Sequence, residues 1–152
     1  MPYQTCFYYN LDNSVGRNCA NTHADVKVIE SLLQIIGDTD SMERWKAFAK
    51  VLGIADFQQV KRPPRPTGTY NTDLQLWIDL VTRIHGCHSD GKVEPLPDTD
   101  GSVQTWRGGK PASLYKLNQI AMFSNFPQFL RVGDQLGLLM NQGLKGFNVG
   151  RK

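Results

Sequence analysis

Two short segments hold side chains of the types that bind metal ions. One is Cys19-x-x-x-His23 and the other is His85-x-Cys87-His88. Thiolate and imidazole groups are common zinc ligands, and a tetrahedral site needs four of them. Neither segment has the short Cys-x-x-Cys spacing of structural zinc sites, so isolated loop histidines and buried cysteines are the default interpretation. We expect no metal and no other cofactor, and these five residues remain weak candidates.

The same residues suggest a cysteine nucleophile. Cys87 with His85 or His88, or Cys19 with a distant histidine, has the residue types needed for amide hydrolysis. Neighbours in sequence rarely have the right mutual geometry, and no cysteine-peptidase motif surrounds either cysteine. The sequence also lacks the phosphate-binding, zinc-protease and serine-hydrolase motifs. These observations argue against catalysis.

Carboxylates are the other candidates for catalysis. Hydrolysis of a glycosidic bond needs two carboxyl groups at a fixed separation, one with a raised pKa. Glu30 and Glu94 are possible acids, with Asp90 or Asp98 as partners. Glu30 falls between the apolar positions of its predicted helix, so we expect it to be solvated. An enzyme is therefore the less favoured interpretation.

The loop over residues 96–112 has the residue types for binding without catalysis. It carries Trp106-Arg107-Gly108-Gly109-Lys110. A tryptophan ring can stack on sugars, and Arg107 and Lys110 can pair with peptide carboxylates. Trp106 has a second interpretation, as a lid over the core.

A second group of binding candidates lies around a predicted turn. Asp90-Gly91 predicts a tight turn, which Lys92 follows, and Tyr70 is an alternative aromatic contact. Trp77 is a further aromatic candidate, but its place on an apolar helical stripe predicts core packing. We therefore include Asp90, Lys92 and Tyr70 among the binding candidates and assign Trp77 to the core.

Composition is that of a folded globular protein with weak charge. The 152 residues are 40% hydrophobic and 20% charged, with a net charge of +3. This predicts one domain over 1–152 and gives no reason to expect a nucleic-acid or membrane partner. Lys61-Arg62-Pro63-Pro64-Arg65 is interpreted as a solvated linker. No N-terminal Sec-type signal is visible, so we expect synthesis in the cytoplasm and, if the protein works elsewhere, export by another route to the periplasm or a target cell wall.

Hydrophobic periodicity predicts a mainly α fold: a small bundle of three principal helices with extra helices and long irregular loops. The helix that begins at Asn71 or Thr72 is expected to organise the rest, and Thr22 and Asp25 loosely fit a capping box. Residues 3–11 favour a strand, and 1–20 form a possible extended segment. Residues 58–70 are interpreted as a linker and 142–152 as a flexible, frayed tail. The predicted helices cover 22–37, 41–53, 72–85, a segment that starts at Pro111, and 127–140.

The segments 25–37 and 73–85 also align with each other. Their acidic and apolar positions coincide, so the two helices are either a repeat whose members face each other or two unrelated amphipathic helices.

Three segments in order resemble peptidoglycan-binding-like domains. They are Ser14-Val15-Gly16-Arg17 with Asn21 and Asp25-Val26, then Asp90-Gly91-Lys92-Val93-Glu94-Pro95, then Ser113-Leu114-Tyr115-Lys116-Leu117-Asn118. Such domains are three-helix bundles, and some occur in phage and type VI secretion proteins. Residues 38–70 and 96–112 are longer than the corresponding connections of that family.

This resemblance implies a noncatalytic module that binds peptidoglycan or its stem peptides, with a secretion or phage structural protein as a possible further partner. Recognition would use a shallow groove formed by loops at the helix ends. The first alternative is a protein-interaction adaptor or secreted-cargo protein that keeps the fold without wall binding. The second is a small peptidoglycan hydrolase.

Overall fold

The structure of the protein, a computed structural model, is mainly helical. It describes residues 3–87, 90–96, 98–99, 102–103, 106–107, 109–136 and 144–150, with side chains described for 8–87, 90–96 and 109–133. The helices are α1 (His23–Gly37), α2 (Met42–Val51), α3 (Thr72–Ile84), α4 (Ser113–Ser124) and α5 (Phe126–Leu136), with a 3₁₀ helix at Ala55–Gln59. The prediction of a mainly α helical bundle is confirmed.

The central helix is α1, and the prediction that α3 has this role is wrong. Most of the α1 residues are buried, including Val26, Ile29 and Leu33. A helix that is apolar on nearly every side must be covered on nearly every side, and α3, α4 and α5 all pack against it. None of the described helices is long and apolar enough to cross a membrane.

Helix α3 carries its apolar stripe into an aromatic cluster. Trp77 is fully buried, as predicted, with its ring edge-to-face against Phe57 at 4.9 Å and Trp45 at 5.5 Å between centroids. The indole N–H groups of Trp45 and Trp77 donate to the carbonyls of Gly37 and Arg62, at 2.9 and 3.1 Å. The cluster joins α2, the 3₁₀ helix and α3, and both of its indole donors are hydrogen-bonded.

The chain ends form a two-stranded antiparallel sheet. Strand β1 (Tyr3–Tyr9) pairs with β8 (Leu144–Gly150), with Tyr3 opposite Gly150 and Tyr9 opposite Leu144. The tail predicted as frayed from residue 142 thus contains a strand. The backbone of Tyr9 is also held to α4, because its N–H donates to Asn118 Oδ1 at 2.7 Å and its carbonyl accepts from Asn118 Nδ2 at 3.0 Å.

Six two-residue strands form three further antiparallel pairs. They are β2 (Val15–Gly16) with β3 (Lys92–Val93), β4 (Asp98–Thr99) with β5 (Ser102–Val103), and β6 (Trp106–Arg107) with β7 (Lys110–Pro111). The prediction that Pro111 begins a helix is wrong. It ends β7, and α4 begins two residues later with Ala112 as its N-cap.

Replacement of Trp77 by alanine should remove the centre of the aromatic cluster. We expect a loss of about 3–5 kcal/mol in the free energy of unfolding, because a large buried ring leaves a cavity that the core cannot fill. Urea denaturation measures it, with Phe123→Ala on α4 as the control, since that ring is 71% exposed. Equal losses in the two variants would contradict the assignment of Trp77 to the core.

Candidate functional site

The pairing of β2 with β3 brings two of the three family-like segments together. Val15 lies opposite Val93, and Gly16 lies opposite Lys92. Gly16 has a φ of +138°, and a Cβ there would lie 2.3 Å from the carbonyl oxygen of Gly91. Only glycine allows this approach without displacing the backbone.

Polar side chains fix the chain on both sides of β2. Asn21 accepts a hydrogen bond from the N–H of Gly16 at 2.8 Å and donates to the Gly16 carbonyl at 3.0 Å. The Asp25 carboxylate is fully buried and accepts from the N–H groups of Asp12 and Asn13. Thr22 donates its hydroxyl to Asp25 rather than capping α1, so the expected capping box does not form.

An ion pair joins this loop to α3. Arg17 donates both terminal guanidinium nitrogens to Asp79. Gln75 donates to Asp79 and to the Gly91 carbonyl, both at 2.9 Å, and it accepts the hydroxyl of Tyr70. The network therefore links the loop, the β3 turn and the segment before α3.

Three predicted binding residues, Tyr70, Asp90 and Lys92, lie around this network. Lys92 N donates to Asp90 Oδ1 at 3.1 Å, which closes the predicted turn. Tyr70 is half-buried within electrostatic range of Arg17, and burial raises the pKa of its hydroxyl. We call Arg17, Tyr70, Asp90 and Lys92 the turn surface.

The other predicted binding residues lie on the β6–β7 hairpin. Lys110 is exposed there. The side chains of Trp106 and Arg107 lie outside the described residues, so their contribution to binding stays a prediction.

The prediction that the side chain of Glu30 is solvated is wrong. It is only 3% exposed, and its carboxylate accepts from the Gly68 N–H at 2.7 Å and the Thr67 hydroxyl at 2.9 Å. Burial raises its pKa, while these donors and nearby His23 lower it. Glu30 lies four residues after Val26 and three before Leu33, on a buried face, and this spacing was the signal that sequence reasoning missed.

Glu30 also lines a cavity of about 180 Å³ between α1, α3 and the proline-rich segment 62–67. Arg62, Arg65 and Asp73 line it as well, and Trp77 forms part of its wall. The segment interpreted as a solvated linker thus forms one side of a cavity. We call this cavity the proline pocket.

The metal and nucleophile candidates do not form a site in the part of the chain that the structure describes. No group of three or more His, Cys, Asp or Glu side chains could hold a metal there, and His88 lies outside it. Cys87 is buried, and burial raises its pKa to about 11. Burial also raises the pKa of Cys19 and lowers that of His85. A thiol with so high a pKa is protonated at neutral pH and a poor nucleophile.

Of the proposed carboxylate pairs, Glu30 with Asp90 has no support from the structure. The polar groups that act on Glu30 are Thr67, Gly68 and His23, and Asp90 is not among them. Asp90 and Glu94, another proposed pair, both lie within electrostatic range of Cys19, and that pair stays a prediction. The side chain of Asp98 lies outside the described residues.

Comparisons with protein-family models, curated proteins and solved structures find no match to this chain. The resemblance to peptidoglycan-binding-like domains therefore stays a prediction that rests on the quoted segments.

Gly16→Ala should destabilise the protein more than Gly53→Ala. Both glycines have positive φ, but nothing lies within 4 Å of a Cβ at Gly53. Gly53→Ala should therefore cost only the backbone strain of about 1–3 kcal/mol. Gly16→Ala should add about 1–3 kcal/mol of overpacking, measured by urea denaturation. A smaller loss at Gly16 than at Gly53 would contradict the close β2–β3 approach.

Glu30→Gln should change how stability depends on pH. Because the folded pKa of Glu30 is raised above 4.5, the folded state binds more protons than the unfolded state just above that pH. The stability that this group contributes is fully present below pH 4.5 and falls as pH rises through the folded pKa. Glu30→Gln should remove this fall, whereas replacement of the exposed Glu43 on α2, Glu43→Gln, should retain it. Denaturation from pH 4 to 8 tests this, and parallel curves for wild type and Glu30→Gln would contradict it.

Proposed function

We propose that this protein is a noncatalytic peptidoglycan-binding module that contacts the wall with the turn surface. The observation that supports this is the β2–β3 pairing, which brings the Asp90–Lys92 turn beside the loop of Arg17, while Gln75 holds Tyr70 and the Gly91 carbonyl together. Residues distant in sequence thus meet at one surface formed by two of the family-like segments. The β6–β7 hairpin with Trp106, Arg107 and Lys110 is proposed as a second contact.

The chemistry of this surface suits a glycan that carries peptides. Tyr70 is held through its hydroxyl by Gln75, so its ring has a fixed position on which a sugar can stack. Arg17 uses two of its five N–H donors on Asp79, and its side chain is 54% exposed. Arg17 and partly exposed Lys92 are therefore positioned to pair with carboxylates of stem peptides.

The state of the catalytic candidates favours binding over hydrolysis. Cys87 is buried with a raised pKa, and the carboxylate of Glu30 accepts hydrogen bonds from the Thr67 hydroxyl and the Gly68 N–H. Side chains used in this way are poorly placed to attack a substrate or to protonate one. The proposal therefore keeps the module noncatalytic.

Co-sedimentation with purified sacculi tests the proposal. We expect the protein to pellet with sacculi, and Lys92→Ala to weaken binding by at least about threefold, since one carboxylate contact is lost. Lys27→Ala on α1 is the matched control because Lys27 and Lys92 are both partly exposed. Tyr70→Ala should weaken binding, whereas Tyr70→Phe should retain the stacking face.

The same experiment separates the alternatives. Failure to pellet would contradict wall binding and leave the adaptor alternative, which predicts a change in size with a protein partner. Soluble muropeptides in the supernatant would contradict the noncatalytic assignment. Equal binding by Lys92→Ala and Lys27→Ala would contradict the assignment of the wall contact to the turn surface.

A further inference from the structure

The proline pocket brings side chains of both charges together in one small cavity. Arg62 and Arg65 lie on the proline-rich segment. Glu30 lies on α1, and Asp73 lies on α3. Within the described side chains, neither guanidinium makes a hydrogen bond or an ion pair, and both residues are exposed. Two such arginines can bind an anionic group by donating pairs of N–H hydrogen bonds to it.

The backbone that carries these arginines is held in place at several points. The Arg62 carbonyl accepts from the buried Trp77 indole, and Glu30 holds Thr67 and Gly68. Pro63 lies so close to Gly37 of α1 that a Cβ there would be 2.7 Å from the proline Cβ. The pocket is thus preorganised, which lowers the entropy cost of binding.

We propose that the proline pocket binds a free α-amino acid, which carries a carboxylate and an ammonium on the same carbon. Arg62 and Arg65 bind the carboxylate, and Asp73, the exposed acidic residue of the lining, faces the ammonium. A simple anion would be repelled by Asp73, and a simple cation by the two arginines. The cavity volume of about 180 Å³ suits a small zwitterion.

This inference goes beyond the proposed wall contact, since none of the turn-surface residues is used here. The two sites can therefore fail independently. Sacculus binding without amino-acid binding would leave the turn surface intact as a proposal. Amino-acid binding without sacculus binding would make the pocket a site of its own.

Titration with alanine, observed by NMR, tests the pocket directly. The indole N–H signal of Trp77 is the reporter because this residue lines the cavity. We expect saturable shifts with L- or D-alanine and much weaker ones with propionate or ethylamine, which each carry one of the two charges. Arg62→Ala/Arg65→Ala should weaken alanine binding by at least about tenfold. Arg131→Ala, an exposed arginine on α5, should not.

Asp73→Asn separates the two halves of the site. It should weaken alanine binding but leave propionate binding unchanged or stronger, since only the ammonium contact is lost. No saturable shift with alanine would overturn the proposal. Equal shifts with propionate, or unchanged alanine binding by the arginine double variant, would also overturn it.

Discussion

The close contact between Gly16 and Gly91 is the constraint on which the candidate wall-binding surface depends. It allows β2 to pair with β3, and the Gly91 carbonyl then accepts from the Arg17 backbone at 3.3 Å and from Gln75 at 2.9 Å. Those bonds place Arg17 against Asp79 and fix the hydroxyl of Tyr70. The backbone positions of Arg17 and Lys92 relative to each other thus follow from one close approach that a Cβ would prevent, and Gln75 ties Tyr70 to the same carbonyl.

Helix α1 supports both candidate sites through two buried carboxylates. Asp25 accepts from the N–H groups of Asp12 and Asn13 near the turn surface, and Glu30 accepts from Gly68 at the proline pocket. A buried carboxylate is costly unless it is hydrogen-bonded. On this central helix each carboxylate satisfies backbone donors of a loop that has no regular structure, and so holds that loop against the core.

Much of the helical framework could be predicted because helical periodicity is a local signal. α1 and α3 begin within one residue of their predicted starts, and Gly86 has the expected positive φ. The β1–β8 sheet could not be predicted, since its strands lie at opposite ends of the chain. Glu30 was misplaced because its helix is buried on nearly every side. The meeting of Tyr70 with the β2–β3 pair depends on tertiary packing, which no local pattern encodes.

The most direct test of wall binding is an NMR titration with soluble muropeptides that maps the shifted backbone amides. We expect the largest shifts to cluster at Arg17, Tyr70 and residues 90–92, which the β2–β3 pairing and Gln75 hold together. Shifts confined to amides outside this cluster, or no shifts at all, would contradict the central claim that this surface binds the cell wall.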